Sequence, residues 1–503
     1  MESTKPMFKA KTDQVLCLTR FLFIGYGFCL LIVLPIQVFA QHPDNYFEPK
    51  DMQKDLSWLQ RKVLQYHPAC IDSVRYDSVR LAFEEALYEA EKPLQELQFL
   101  RLLRKTLISL RCGHTTAIPS ASFYNYYQNA KPKPLFPLQI LKNPAGMFVR
   151  FNGSNDATIS VGDRLLTINQ ESTEHISESI LDFLPGDGYH KTFRQFHLSL
   201  NFPTYYLFLK GPSYSYESGL VDTSGRFSTH VFSLRSQGKT VSKSFRPKST
   251  KLIMADRYRE LSVLTSNPEI GCLSIYGFGG SDKWFRSAFR EIEKRKIKML
   301  VLDLRGNSGG NLFSANQLLT YLLPDTFSMC FKRKDGKIHL NRRSNMSLGM
   351  RLSLFQFKHL RSKEKGTRPT CQLQDDILVN RFRFEPVEKH GFKGKLVVLM
   401  DGGTFSAATL VAAQLRKKLH VKLLGEESGG GARGSNAMIM PTLKLPNTHM
   451  RVTLPLFYLD HEMGDVPFRG LIPDYKLLPD VSMKVKGVDS ELEFLARTLP
   501  HMK

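Results

Sequence analysis

The chain has 503 residues, which exceeds what one ordinary hydrophobic core accommodates and implies two or three domains. Hydrophobic residues make up 42% and aromatic residues 11%, which excludes a disordered polymer. The formal net charge is +23, so anionic partners are attracted, yet no nucleic-acid-binding motif is present and no nucleic-acid partner is expected.

At the N-terminus, Lys5, Lys9, Lys11 and Arg20 precede the apolar run "FLFIGYGFCLLIVLPIQVFA" (21–40). This run ends Val38-Phe39-Ala40, a small-residue cleavage pattern before Gln41. Basic flank, apolar stretch and small residue have the form of a secretory signal peptide over 1–40. Retained, the same segment would act as a membrane anchor. The expectation is an exported protein: periplasmic, cell-envelope or extracellular. Without residues 1–40, which carry four basic and two acidic residues, the net charge is +21. Lys and Arg cluster in "KTVSKSFRPKSTK" (239–251) and "KRKDGK" (332–337), as solvated loops or as a surface for acidic polymers. Of seven cysteines, five lie beyond the leader: Cys70, Cys112, Cys272, Cys330 and Cys371. An odd, scattered set without C-x-x-C is neither a disulfide framework nor a zinc site, and leaves room for one or two disulfides.

Residues 41–125 read as a helical subdomain, because "DLSWLQRKVLQYHP" and "FEEALYEAEKPLQELQFLRLLRKTLISL" repeat apolar residues at three- and four-residue spacing. That pattern stops at the Gly- and Pro-punctuated "RCGHTTAIPS" (111–120). Short β-like runs follow, ending in "ISVGDRLLTINQ" (159–170). There Gly162, Asp163, Leu165, Leu166, Ile168 and Asn169 resemble the turn and strand of PDZ domains, so a small PDZ-like β module is expected over 135–185. Such a module binds an extended peptide as an added strand. Residues 186–260 read as a connecting region. From 265 to 482, apolar strands ("IGCLSIYGF", "IKMLVLDLRGN", "GKLVVLMDGG") alternate with helical stretches ("KWFRSAFREIEKRK", "LFSANQLLTYLL"), which predicts an α/β domain. A C-terminal helix closes the chain over 483–503. In α/β sheets, sites form at the carboxyl ends of the strands, where "RGNSGG" and "DGGTFS" both fall.

Three stretches could carry chemistry. In "DGGTFSAAT" (401–409), Ser406 stands where a helix begins. It either caps that helix or, exposed on a strand-turn-helix junction, attacks a substrate with the helix N-terminus at its back. In "VLDLRGNSGGN" (301–311), Gly306, Gly309 and Gly310 let backbone approach a ligand. The spacing is not that of a phosphate loop, and the alternative is a plain turn with Asp303 and Arg305 in structural ion pairs. In "RCGHTTAI" (111–118), His114 is one of 14 histidines, but lies on a loop and titrates near neutrality.

In order and spacing, "VLDLRGNSGG", "VVLMDGGTFSAATLVAAQL", "KLLGEESGGG" and the closing "RGLIPDYKL" (469–477) together resemble the S41 serine peptidases, the C-terminal processing peptidases and tricorn core proteases. The resemblance covers most of 50–495. It implies a ClpP/crotonase-like catalytic α/β domain without metal or cofactor. Ser406 would be the nucleophile, and the amides of Gly309 and Ala407 the oxyanion donors, with Gly310 and Asn307 in the supporting loop. The processing-peptidase branch takes a lysine base about 25 residues past the serine, yet "SGGGARG" (428–434) has none, and Arg433 cannot deprotonate. The tricorn-like branch takes a histidine from an upstream loop, which "CGHTT" matches, making His114 the expected base. Two positions depart from that branch: Gly113 stands where it has a serine, and Pro467 where it has a glutamate. Asp465, Glu462 and Asp460 lie near by, and Asp465 is the preferred acid to orient His114. The resemblance thus implies an exported serine endopeptidase acting on peptides or unfolded protein. The alternatives are a non-catalytic binder on the same fold, as in retinoid-binding relatives, and an esterase of the same mechanism.

Overall fold

The computed structural model describes residues 46–130, 133–233, 249–334, 370–374, 376–480, 483 and 488–498. The expected leader and much of both basic clusters lie outside the described residues. Gln41–Lys503 forms one compact unit.

The N-terminal region is helical, as its periodicity predicts. Helix Pro49–Tyr66 opens with proline in its first turn and buries Met52, Leu56, Leu59 and Val63, a stripe of three- and four-residue steps. Asp55 lies on the same buried face and carries a docking function. Its carboxylate accepts from Asn447 N (3.0 Å), Thr448 N (2.8 Å) and Thr448 Oγ1 (2.7 Å), fastening this helix to the far end of the chain. Helix Ser73–Glu89 is capped by Asp72, and Glu96–Ile108 by a box of Gln95 and Gln98. After the latter comes the loop bearing His114, then strand Thr116–Ile118. That strand pairs antiparallel with Arg451–Thr453, which pairs with Thr442–Lys444. The histidine loop is therefore spliced into the C-terminal half by main-chain hydrogen bonds.

A second sheet runs in the order Leu138–Asn143, Gly146–Asn152, Arg164–Ile168, Ser215–Val221, Phe227–Ser233, with Glu171–Ser172 paired to Arg164–Ile168. Helices Thr173–Leu181 and Thr192–Lys210 accompany it, around an aromatic core of Phe136, Phe202, Tyr206, Tyr216 and Phe232. This sheet extends beyond the boundary at 185. The stretch 186–260 is thus not a linker: it supplies two strands to this sheet, a long helix, and one strand and the start of another to the next.

The large sheet has seven strands: Thr250–Ala255, Arg259–Leu264, Ile270–Ile275, Met299–Asp303, Lys395–Met400, Lys422–Gly425 and Tyr475–Lys476. The first two are antiparallel additions, and the other five run parallel. Ile270–Ile275 is buried at every residue, as a strand covered on both faces must be. Helices Lys283–Lys294, Leu312–Leu322 and Ala407–Leu419 contribute to its core. An antiparallel sheet of Thr370–Gln374, Ile377–Phe384, Phe327–Lys334, Phe457–Asp460 and Gly434–Ala437 stands beside it. Cys70, Cys112, Cys272 and Cys330 are free and buried, so these four form no disulfide.

Candidate active site

Three loops meet at the carboxyl ends of adjacent parallel strands: 304–311 after Met299–Asp303, 401–406 after Lys395–Met400, and 426–433 after Lys422–Gly425. Asp401 ties the first two. Its Oδ1 accepts from Gly306 N and Gly403 N, both at 2.8 Å, while Thr404 Oγ1 donates to Leu304 O (2.9 Å). The third loop joins through Gly430 N, which donates to Thr404 O at 3.1 Å. Ser406 sits at the centre with φ +55° and ψ −120°, a left-handed conformation that costs a non-glycine residue strain. Its neighbours hold it there, since Phe405 N donates to Asn307 O at 3.0 Å. Although Ser406 precedes helix Ala407–Leu419, its side chain makes no capping bond. Ser406 therefore does not cap the helix, and it stands 8% exposed on a strained strand-turn-helix junction.

Gly309 lies against this turn. A Cβ on it would stand 2.8 Å from Ser406 Cβ and 3.1 Å from Ala407 N, and its φ is +106°, so glycine is required twice over. Its amide, however, does not stand free as an oxyanion donor. Gly309 N donates to Asn307 Oδ1 at 2.9 Å, because an asparagine side chain readily accepts from the amide two residues on. Asn307 is fully buried, and its Nδ2 donates to Ile275 O (2.8 Å), so the side chain braces the loop. Gly310 backs onto Phe278, whose main chain it bridges. Ala407 N, the first amide of the helix, donates to no acceptor among the described residues. Arg305 takes the structural ion-pair role: half-buried, it pairs with Asp303 and Asp489 (both 2.7 Å) and Glu491, anchoring helix Ser490–Thr498.

His114 reaches the same place from the other end of the chain. Its ring lies against that of Phe405, the residue before Ser406, with centroids 4.5 Å apart. No hydrogen bond joins His114 to Ser406 in this arrangement, and His114 Nδ1 is buried without a partner. Burial lowers its pKa from 6.5 to about 4, keeping it a neutral acceptor at physiological pH. A relay sets the loop. Ala69 N donates to His67 Nδ1 (3.1 Å), so Nε2 carries the proton and donates to Thr115 Oγ1 (2.8 Å), which donates to Cys112 Sγ (3.2 Å).

Each acid near the tail is taken up by a cation. The Asp465 side chain is 98% exposed and pairs with Arg433 at 2.6 Å. Glu462 pairs with Arg381 (3.0 Å) and Asp460 with Lys332 (2.5 Å). The expectation that Asp465 orients His114 is therefore corrected: an exposed carboxylate held by a guanidinium has no reason to leave water for a buried imidazole.

The carboxylate that does share the pocket is Asp187, which the sequence reading passed over. It is 3% exposed, and one of its oxygens, a His114 ring nitrogen and Cys112 Sγ all lie within 4.8 Å of one another. Oδ1 accepts from Gly113 N (2.7 Å) and Oδ2 from Gly431 N (3.3 Å). Position 431 is where the lysine of the other branch would fall. Burial pushes the Asp187 pKa up to about 7, and that of the Cys112 thiol to about 12, with Asp187 adding to the latter. A protonated thiol and a carboxylate already accepting two amides suit an acid–base cluster better than a metal centre. The overlooked signal was "PGDGYH" (185–190), an aspartate between two glycines.

Residues 269–477 match the model of peptidase family S41. No curated protein matches. Among solved structures, mature CPAF aligns with a TM-score of 0.65 at 14% identity over 90% of this chain and 97% of that one. Mature CPAF complexed with lactacystin aligns with a TM-score of 0.65 at 15% identity, over 90% and 98%. At such identities the likeness is one of fold. The family match spans all three loops that converge on Ser406, and residues 269–477 are in this way similar to the serine-type peptidases of family S41.

Proposed function

We propose that the chain is an exported endopeptidase in which Ser406 forms the acyl-enzyme and His114 is the general base. The observation that carries this reading is the strained, uncapped Ser406, held where three loops meet with the His114 ring packed at a tilt against its neighbour Phe405. In the first step Ser406 Oγ attacks the peptide carbonyl, His114 takes the hydroxyl proton, and the imidazolium returns it to the leaving amine. Water then attacks the ester by the same route in reverse. A neutral imidazole is suited to the first transfer, and burial keeps His114 neutral. The Ala407 amide, at the helix N-terminus, faces the developing oxyanion. Gly309 would add the second donor once its amide gives up Asn307 Oδ1. Substrate must also draw His114 into hydrogen-bond reach of Ser406, a contact commonly longer in a free enzyme. The sheet over 138–233 would act as the PDZ-like holder of an extended chain. The leader pattern over 1–40 supports export. Among the described residues, no helix is long and apolar enough to cross a membrane.

The test is to incubate the purified chain and its Ser406→Ala variant with a mixture of unfolded proteins and read new termini by mass spectrometry. Serine-dependent cuts inside chains are expected. Cleavage of ester substrates alone would favour an esterase. No cut from either protein would favour a non-catalytic binder, the reading that the absent Ser406–His114 hydrogen bond supports.

A further inference from the structure

We propose that Asp187 is the positioning carboxylate of this site, orienting His114 and stabilising its imidazolium from a loop outside the family-matched region. The inference rests on the Ser406–His114 reading.

The first support is elimination among the observed carboxylates. The three acids near the tail motif are each engaged with a cation, whereas Asp187 has neither arginine nor lysine as a partner among the described residues. A buried carboxyl without a counter-cation is costly to ionise, which makes it a poor purely structural choice at a site where a neutral amide could accept the same amide N–H bonds. The second support is the company it keeps. His114 Nδ1 is buried and unpartnered, and an Asp187 oxygen lies within 4.8 Å of a His114 ring nitrogen. The residue preceding His114 donates its amide directly to Asp187. Pairing the orphaned Nδ1–H with this carboxylate leaves Nε2 to take the proton of Ser406, the tautomer that serine attack requires.

The third support is how firmly Asp187 is placed. Gly188 N donates to Arg111 O (3.2 Å), Tyr189 N to Phe468 O (3.2 Å), and His190 Nε2 to Gly429 O (3.0 Å). Residues 187–190 thus stitch together the histidine loop, the tail motif and the glycine loop behind Ser406. A Cβ on Gly188 would stand 2.3 Å from Phe468 O, and its φ is +63°, so only glycine lets this loop lie so close. A positioning group must be held by something other than the residue it positions, and here it is. The ionisable groups that face Asp187 are Cys112 and His114 from the histidine loop and Tyr458 from strand Phe457–Asp460; the head group of Arg433, from the glycine loop, is engaged by Asp465. When His114 takes the serine proton, the ionised Asp187 is the single negative charge among these partners. No bond to Asp187 forms or breaks, and its proton inventory is unchanged over the cycle.

The experiment compares kcat, KM and their pH profiles for the full chain, Asp187→Asn and Asp187→Glu, on a peptide whose cleavage requires Ser406. Asparagine keeps an acceptor for Gly113 N but loses the charge. The expected result is a fall in kcat of about 10²–10⁴-fold with KM little changed. The acid limb of kcat, set in the wild type by the carboxylate near neutrality, should move to lower pH, and Asp187→Glu should restore part of the rate. Wild-type kcat with the same acid limb in Asp187→Asn overturns the proposal, because a structural role would be met by asparagine. Should the asparagine variant not fold, the wild-type enzyme bearing a peptide boronic acid on Ser406 decides by crystallography. An Asp187 oxygen at about 2.7–3.2 Å from a His114 nitrogen supports the proposal, and another carboxylate in that place, or none, overturns it. If the boronic acid does not attach and no cleavage depends on Ser406, the peptidase mechanism itself fails. That outcome is distinct from a serine-dependent enzyme indifferent to residue 187.

Discussion

The nucleophile turn is tied within one parallel sheet, the base loop across separate parts of the molecule. Asp401 binds Gly403 two residues away and Gly306 95 residues away, but the loops that carry them leave adjacent strands of one parallel sheet. His114, by contrast, depends on His67 acting through Thr115, 48 residues apart, on Asp187 acting through Gly113, 74 residues apart, and on a strand that pairs Thr116 with Thr453. One half of the site is a property of a single parallel sheet. The other exists only while the N-terminal helices stay docked on the C-terminal half. Activity should therefore be lost through the base side by perturbations that leave the catalytic sheet intact.

The largest effects test the chemistry common to both halves. Ser406→Ala should lower kcat by roughly 10⁴–10⁶-fold without loss of stability, because the side chain makes no hydrogen bond that supports the fold. His114→Ala should cost nearly as much, since members of a catalytic unit fail together; a loss below tenfold would name another base. Gly309→Ala comes next. Its methyl would meet Ser406 Cβ at 2.8 Å in a left-handed backbone, so a fall of 10²-fold or more in kcat is expected, measurable on the same peptide.

A smaller effect separates the halves. Thr115→Val breaks the relay from His67 to Cys112 and leaves a buried imidazole donor unpaired, at a cost of about 1–3 kcal/mol in denaturant unfolding. Catalytic rate should drop with it although the nucleophile turn is untouched. Equal rates would show that the base loop does not need its relay.

Acid should weaken both halves, through His67 and His114 on the base side and His461 behind the nucleophile helix. Burial lowers the pKa of His67 to about 3, and those of His114 and His461 to about 4. Folded values below 6.5 mean that the unfolded chain binds more protons, so this stabilisation is complete above pH 6.5 and disappears as pH falls toward 4. Each histidine contributes on the order of 3–5 kcal/mol. Asp187 works in the opposite sense. Its folded value of about 7 lies above the ordinary carboxyl value, so stability is lost as pH rises from about 4 to 7, and Asp187→Asn should remove that loss. Unfolding free energies at pH 4, 5.5 and 7.5 check both slopes. The smallest effect is expected from Asp465→Ala, which breaks an exposed ion pair and should change stability by less than about 0.5 kcal/mol and leave kcat unaltered.

Much of this molecule is legible in its sequence because its signals are local. The 3-to-4 spacing of Met52, Leu56, Leu59 and Val63 specifies a helix whatever it packs against. Apolar runs ending in glycines mark parallel strands and the loops at their carboxyl ends, and Ser406 is visible there for the same reason. The role of Arg305 in ion pairs was readable as well, from its neighbour Asp303. What only the tertiary structure decided are the contacts between groups far apart in the chain. The amide of Gly309 is spent on Asn307, a matter of side-chain geometry that spacing does not carry. The stretch 186–260 turned out to be woven into two sheets, since strand pairing is a long-range choice. Which carboxylate stands beside His114 depends on burial and on which acids have found cations. Asp465 is nearer the tail motif in sequence, but Asp187 is the one that folding strips of water and leaves without a positive partner.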